Sequence, residues 1–215
     1  MNIAYELVVA DTPDTAMEKF IDAQPCNFKE IGSGSYGAAY GSNEIKWLCY
    51  KVVDLDNNLA YLNYICTAIR NQHNPIFPKI YGVRVVRSQD SDFAPKTLKS
   101  FMKKIPKMVA SRDDSTQDCV VLVAMERLQS CEGWDVMCDF IEAAIRAGGN
   151  TNLIIQAAAP FTVFMTPSKR DASISDWTQF SREVVTLKQH HTIDMHDENF
   201  MRRGNQVVVI DPFME

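Results

Sequence analysis

The residues best equipped for chemistry lie near the end of the chain: Asp194, His196, Asn199 and Asp211. Asn199 and Asp211 bracket two short apolar runs, Phe200–Met201 and Val207–Ile210, which flank Gly204-Asn205. Apolar runs either side of a two-residue Gly-Asn turn predict a β-hairpin. Closing that hairpin brings Asn199 and Asp211 to one end of the paired strands. Two oxygen ligands for a hard divalent cation then stand beside Asp194, a carboxylate able to take a proton. Magnesium keeps few protein ligands and completes its shell with water and phosphate oxygens, so this sparse set suits Mg-nucleotide chemistry.

A second group lies far upstream. Gly32, Gly34 and Gly37 form a G-x-G-x-x-G set between two extended apolar pieces. Glycines at such positions let backbone N–H groups approach phosphate oxygens with no Cβ in the way. A plain glycine-rich hairpin reads equally well. A dinucleotide-binding fold does not, because a helix should follow the glycines. Here Ala38-Ala39-Tyr40-Gly41-Ser42-Asn43 reads as strand and turn. In the next run Ile45, Trp47, Cys49, Lys51 and Val53 share one face by strict alternation, which predicts a strand. Lys51 on that apolar face either snorkels to the edge or meets a phosphate beneath the glycines.

The elements that must position these groups follow from periodicity. A possible short helix spans Thr15–Ala23, within a first segment that carries no evident chemistry. A helix is predicted from Asn57 to Asn71, capped by Asp56 or Asn57, with Leu62, Ile65, Cys66 and Ile69 at i, i+3, i+4, i+7. Ile76–Val86 reads as a strand broken near Pro78. Residues 96–107 hold five lysines interleaved with Leu98, Phe101, Met102 and Ile105. This amphipathic helix is read as a solvated face over a packed apolar side rather than as a docking surface. Cys119–Ala124 is a buried strand leading into Met125-Glu126-Arg127-Leu128. Met137, Phe140, Ile141, Ala144 and Ile145 mark a helix stopped by Gly148-Gly149. A further helix is predicted to start at Asp176, with Gln179 completing a capping box. Trp177, Phe180, Val184, Leu187 and His191 would form its buried side. Residues 151–175 fit strand or helix.

Composition sets bounds. A chain of 215 residues, 46% apolar and 23% charged, can bury a real core as one domain or two small lobes. A net charge of −5 disfavours a general nucleic-acid binder. No apolar run approaches membrane-spanning length, and the start lacks a signal peptide's basic region and cleavage site. The six cysteines form no C-x-x-C pair and mostly lie in apolar surroundings. Reduced core thiols in a cytosolic protein are therefore expected, with a zinc site the lesser alternative.

The succession of glycine loop, strand lysine, helix, buried strand with a Met-Glu linker, helix, D-x-x-x-x-N and hairpin-closing Asp resembles the protein-kinase superfamily. The likeness covers Phe28 to Phe213. It implies an α+β, two-lobed fold with a β-rich N-lobe and a minimal helical C-lobe. Residues 1–27 would be an N-terminal extension, 28–128 the N-lobe and hinge with a basic insertion at 87–118, and 129–215 the C-lobe. Gly32, Ser33, Gly34, Ser35, Tyr36 and Gly37 would lie over the ATP phosphates, and Lys51 would hold the α- and β-phosphates. Met125–Leu128, including Glu126 and Leu128, would be the hinge whose backbone meets adenine. Ala39 and Cys49 would roof the adenine and Met201 would floor it. Asp194 would be the catalytic base, with His196 beside it, and Asn199 and Asp211 the Mg²⁺ ligands.

The departures are specific. The family's His-Arg-Asp is Thr192-Ile193-Asp194, and the lysine usual two residues after the base is His196. Asp-Phe-Gly is Asp211-Pro212-Phe213, and no glutamate lies in the helix after Lys51 to match the family's Lys–Glu pair; the nearby acids, Asp54 and Asp56, both precede that helix. The chain stops four residues past Asp211, which implies no activation segment or later helices. The early Ser/Thr protein kinases of small lytic podophages share these oddities: D-M-H-x-x-N-x-M, then a short hairpin ending in I-x-D-P. Ala60-Tyr61 and Ala38-Ala39-Tyr40 also look like theirs. That resemblance implies a phage enzyme using ATP and Mg²⁺ to phosphorylate host proteins in the host cytoplasm, without nucleic-acid or membrane partners. Two rival readings are a kinase-fold small-molecule phosphotransferase, suggested by His196, and a nucleotide-binding pseudokinase that inhibits a host factor by docking.

Overall fold

Runs rich in β-branched residues set the first part of the fold. The computed structural model describes residues 2–34, 37–111, 118–131, 136–161 and 172–214. Its contacts divide the chain into two units, Met1–Asn63 with Lys79–Arg127 and Tyr64–Pro78 with Leu128–Glu215. Among the described residues it is an α+β protein with a six-stranded sheet, two two-stranded sheets and six α-helices.

The first unit is built on the large sheet, formed by β1 (Ala4–Val9), β2 (Lys29–Gly34), β3 (Gly37–Gly41), β4 (Leu48–Asp54), β5 (Ile80–Arg87) and β6 (Cys119–Glu126), in the order β1-β5-β6-β4-β3-β2. β1 runs parallel to β5, and every other pairing is antiparallel. β6 occupies the middle because Cys119–Val123 is buried on both faces, as a continuous apolar run requires. Helix α1 (Pro13–Asp22) starts with proline in its first turn, where the missing N–H costs nothing. It buries Met17 and Ile21 against Phe28, Leu48, Val86, Val120 and Leu122. The expected short helix is thus present, whereas β1, which precedes it, has no counterpart in the sequence reading.

On the other face lies the start of helix α2 (Leu59–Arg70). Asn58 caps it, its side-chain oxygen accepting from the Tyr61 N–H at 3.3 Å, one or two residues later than the sequence reading placed the cap. The periodicity predicts a single apolar face, yet Ala60 to Ile69 are buried all round the helix. Asn63 and Thr67 go inside with the rest. Helix α3 (Leu98–Ser111) buries Phe101, Ile105, Met108 and Val109. Lys99, Lys103 and Lys107 are exposed, so its apolar side is packed and its basic side solvated. Pro106 lies inside this helix and removes one of its backbone bonds.

The second unit carries α4 (Val136–Arg146), α5 (Thr151–Ala158), α6 (Ile174–Val184) and four short strands. TNLIIQ, open between strand and helix in the sequence, is helical, and Asn150 caps it through two N–H groups. Gly148 and Gly149 end α4 at φ of +58° and +84°, which L side chains rarely adopt. The capping box of α6 is Ser173 with Asp176 rather than Asp176 with Gln179. Both spacings satisfy the motif, but Ser173 starts the helix one turn earlier. The core is aromatic: Phe140 meets Trp177 edge-on at 4.7 Å, Trp177 meets Phe180 at 5.7 Å, and Phe77 meets Phe180 at 5.0 Å. No described helix is long and apolar enough to cross a membrane.

Candidate functional site

The hairpin in the second unit forms as its residues predict. β8 (Phe200–Arg203) pairs with β9 (Gln206–Val209), Phe200 opposite Val209 and Arg203 opposite Gln206. Gly204 takes the turn at φ of +64°, and nothing lies within 4 Å of where its Cβ would be, so glycine is needed there for conformation and not for space. Phe200, Val208 and Val209 are fully buried. Both edges of the hairpin are held. Gln129 exchanges backbone bonds with Arg202 at 3.0 and 2.8 Å, and the Val209 N–H donates to Ile76 at 2.9 Å. Arg203 donates to the carbonyls of Pro75 and Phe77 at 3.1 and 3.4 Å.

At the open end the hairpin gathers the acids and the amide. The Asn199 carbonyl accepts from the N–H groups of Ile210 at 2.9 Å and Asp211 at 3.2 Å. The Asn199 side chain donates from Nδ2 to the Asp194 carbonyl at 2.6 Å, closing the intervening loop upon itself. The Asp194 N–H in turn donates to the Pro212 carbonyl at 3.0 Å. Next to that bond β7 (Thr192–Ile193) pairs antiparallel with β10 (Phe213–Met214). The hairpin thus brings Asn199 and Asp211 to one end of its strands, and the Asn199 side chain together with the Asp194–Pro212 backbone bond ties Asp194 to them. Asn199 is nearly buried, whereas the Asp194 and His196 side chains are 41% and 46% exposed. His196 Nε2 stands 3.7 Å from Asp194 Oδ2. With Nδ2 committed to Asp194, the amide oxygen of Asn199 is the atom left able to ligate a cation.

Tyr64 braces this end from the second part of α2. It is fully buried, and its hydroxyl donates to the Val209 carbonyl at 2.7 Å. Burial first and the Asp211 charge second push its phenol well above the ordinary value, so it stays a neutral donor. His191 is also buried, with the Phe213 ring 6.4 Å away. Met201 lies on β8 opposite Val208, and Leu128 follows directly on the last residue of the first unit.

In the first unit, strand register brings Ala39, Cys49 and Lys51 to one face of the sheet. Ala39 pairs with Lys51 and Gly41 with Cys49, and side chains two apart share a face. Cys49 donates from its thiol to the Glu126 carbonyl at 3.5 Å. Burial pushes that thiol up to about 11, so it is a neutral, largely apolar surface at ordinary pH. Glu126 is buried, and its carboxylate accepts the Lys79 N–H at 2.8 Å. The Lys51 ammonium stands over the Tyr61 ring, 3.7 Å from its centroid.

The glycines divide by what surrounds them. Gly34 pairs with Gly37 at the end of the β2–β3 hairpin, while Ser35 and Tyr36 lie outside the described residues. A Cβ at Gly37 would lie 2.3 Å from the Val52 carbonyl oxygen, so close backbone approach requires glycine. Gly32 and Gly34 have nothing within 4 Å of that position, and β2 is exposed throughout. A cavity of about 420 Å³ lined by Gly34, Ala38, Tyr40, Val52 and Asp54 opens on the sheet face opposite Lys51. No cluster of three or more His, Cys, Asp or Glu suited to a metal occurs among the described residues. No protein-family model matches the chain, and no curated protein matches it.

Proposed function

We propose that this protein is an ATP-dependent serine/threonine protein kinase of the bacteriophage type, acting on host proteins in the host cytoplasm. The observation that carries the reading is the closed loop from Asp194 to Asn199. One asparagine side chain fixes the Asp194 backbone while the carbonyl of the same residue holds the Asp211 N–H. That is the wiring a base and two metal ligands need to keep a constant spacing. Strand order adds support: a glycine hairpin, a lysine strand and a buried strand ending at Glu126 lie side by side, with a helix leaving after the lysine strand.

Under this reading a Ser or Thr hydroxyl attacks the γ-phosphorus as Asp194 accepts its proton. The bond from that phosphorus to the β–γ bridging oxygen breaks, and its electron pair leaves with ADP. Magnesium, when bound, neutralises phosphate charge, and the Asn199 amide oxygen with the Asp211 carboxylate is a hard-oxygen donor set that fits it. Lys51 and the backbone N–H groups of the glycine loop are assigned to the phosphates, and Ala39, Cys49, Glu126, Leu128 and Met201 to adenine. Most of the acceleration would come from positioning and charge stabilisation.

Asp194→Asn should lower phosphoryl transfer to proteins of a host lysate by about 10²–10⁴-fold. Its circular dichroism and melting temperature should match those of the parent. Phosphopeptide mapping with Mg-ATP, using Asp211→Ala as a second loss-of-function control, measures it. An unchanged rate in Asp194→Asn refutes the assignment. A second reading, small-molecule phosphotransferase, is favoured by His196 beside Asp194. Phosphate appearing on small acceptors and not on protein in the same assay would select it.

A further inference from the structure

We infer that Tyr64 is a positioning residue for Asp211, its buried hydroxyl holding the strand end that carries this proposed Mg²⁺ ligand; this rests on the kinase reading above. The point of attachment is Val209, two residues before the acid. In a strand the N–H and the carbonyl of one residue point to the same side. Those of Val209 face away from β8: the N–H donates to the Ile76 carbonyl at 2.9 Å, and the carbonyl accepts from the Tyr64 hydroxyl at 2.7 Å. The next two N–H groups, of Ile210 and Asp211, donate to the Asn199 carbonyl at 2.9 and 3.2 Å. Backbone groups of three successive residues are thus committed, up to the acid itself. All of these residues belong to the second unit.

Among the partners in these bonds, Ile76 and Asn199 act through backbone and Tyr64 through its side chain, so Tyr64 is the partner that the amino-acid type controls. Tyr64 and Val209 have no exposed surface, so water cannot replace the hydroxyl unless the strand end moves. A buried carbonyl left without a donor is costly, and the backbone that would shift to satisfy it leads directly to Asp211. Groups behind a metal ligand orient it, and their loss shows as weaker metal binding. A bond made two residues from the ligand acts less directly than one to the carboxylate, which places the expected effect at the low end of that range.

Mn²⁺ is the probe, because water-proton relaxation reads its binding without turnover. In the full chain with a non-hydrolysable ATP analogue, Tyr64→Phe, which deletes the hydroxyl and keeps the ring, should weaken Mn²⁺ binding roughly 10-fold. The apparent KM for Mg²⁺ in phosphoryl transfer should rise by a similar factor, and saturating Mg²⁺ should recover most of kcat. Trp177→Phe is the control for lost stability. It loosens the packing on Phe140 and Phe180 in the helical core and should bind Mn²⁺ as the parent does. Parent-like Mn²⁺ affinity in Tyr64→Phe overturns the inference, and so does an equal loss in Trp177→Phe. If Tyr64→Phe does not fold, the parent decides. Its Tyr64 hydroxyl proton should appear in NMR spectra as a slowly exchanging resonance and should shift when Mg²⁺ and the analogue bind; an unmoved resonance overturns the inference. Asp211→Ala separates the two proposals. Undiminished Mn²⁺ binding there removes Asp211 from the metal site and sinks the ligand assignment of the kinase reading. Binding lost in Asp211→Ala but intact in Tyr64→Phe leaves that reading standing and sinks the role of Tyr64 alone.

Discussion

His191 shows how one buried group can set a pH limit. Burial first, and the neighbouring His190 second, lower its pKa from 6.5 to about 4. The folded protein therefore keeps His191 neutral at pH values where the unfolded chain has already protonated it. This contribution to stability is present above pH 6.5 and is lost as pH falls from about 6.5 towards about 4. The melting temperature should drop across that window, and the difference between parent and His191→Gln should isolate the effect from titrating carboxylates. Parallel melting curves for both proteins over the whole window would exclude it. The buried thiols behave differently. Burial pushes Cys66 up to about 12 and Cys131 up to about 11, so neither is a nucleophile at neutral pH.

Within elements, the glycine hairpin separates a folding role from a binding role. Gly37→Ala would put a methyl 2.3 Å from the Val52 backbone and force β3 away from β4. Overpacking of this kind costs about 1–3 kcal/mol, with ~2–4 °C of melting temperature per kcal/mol for a chain of this size. Gly32→Ala and Gly34→Ala meet no neighbour, so melting should stay within ~0.5 kcal/mol of the parent. If the loop amides do meet phosphate, those two variants should nevertheless weaken Mg-ATP binding in a nucleotide titration. Binding unchanged in both would make the segment a plain glycine-rich hairpin. Two helix starts were legible only approximately, for a related reason. At α2 and α6 several neighbouring polar residues could cap, and Asn58 and Ser173 prevail because their oxygens meet the N–H groups inside the first turn.

For the whole molecule, the division into units cuts across the chain order. Tyr64–Pro78 belongs with Leu128–Glu215, although residues 79–127 intervene. Its members are structural parts of that unit: Tyr64 bonds Val209, Ile76 bonds Val209, Phe77 packs on Phe180, and Asn74 donates to the Asp176 carbonyl at 2.9 Å. Residues 128–215 expressed alone lose all of these and should not fold cooperatively. Thermal denaturation followed by circular dichroism checks this, and a sharp transition for the fragment would show that the helices and hairpin suffice.

The sequence by itself determined the hairpin with its glycine turn, the buried β6, the lysine on β4, the glycine stop of α4 and the packed side of α3. Each rests on a periodicity or a backbone requirement that a few adjacent residues express in full. The tertiary structure alone decided the rest. β1 joins β5 in parallel with no tight turn to announce the pairing. The aromatic beneath Lys51 looks like any other core residue of a helix. The bonds of Asn199 to Asp194 and of Tyr64 to Val209 depend on where folded backbone leaves an acceptor. Period and propensity report which way a side chain faces; what it meets there is settled by the pairing of segments distant in the chain.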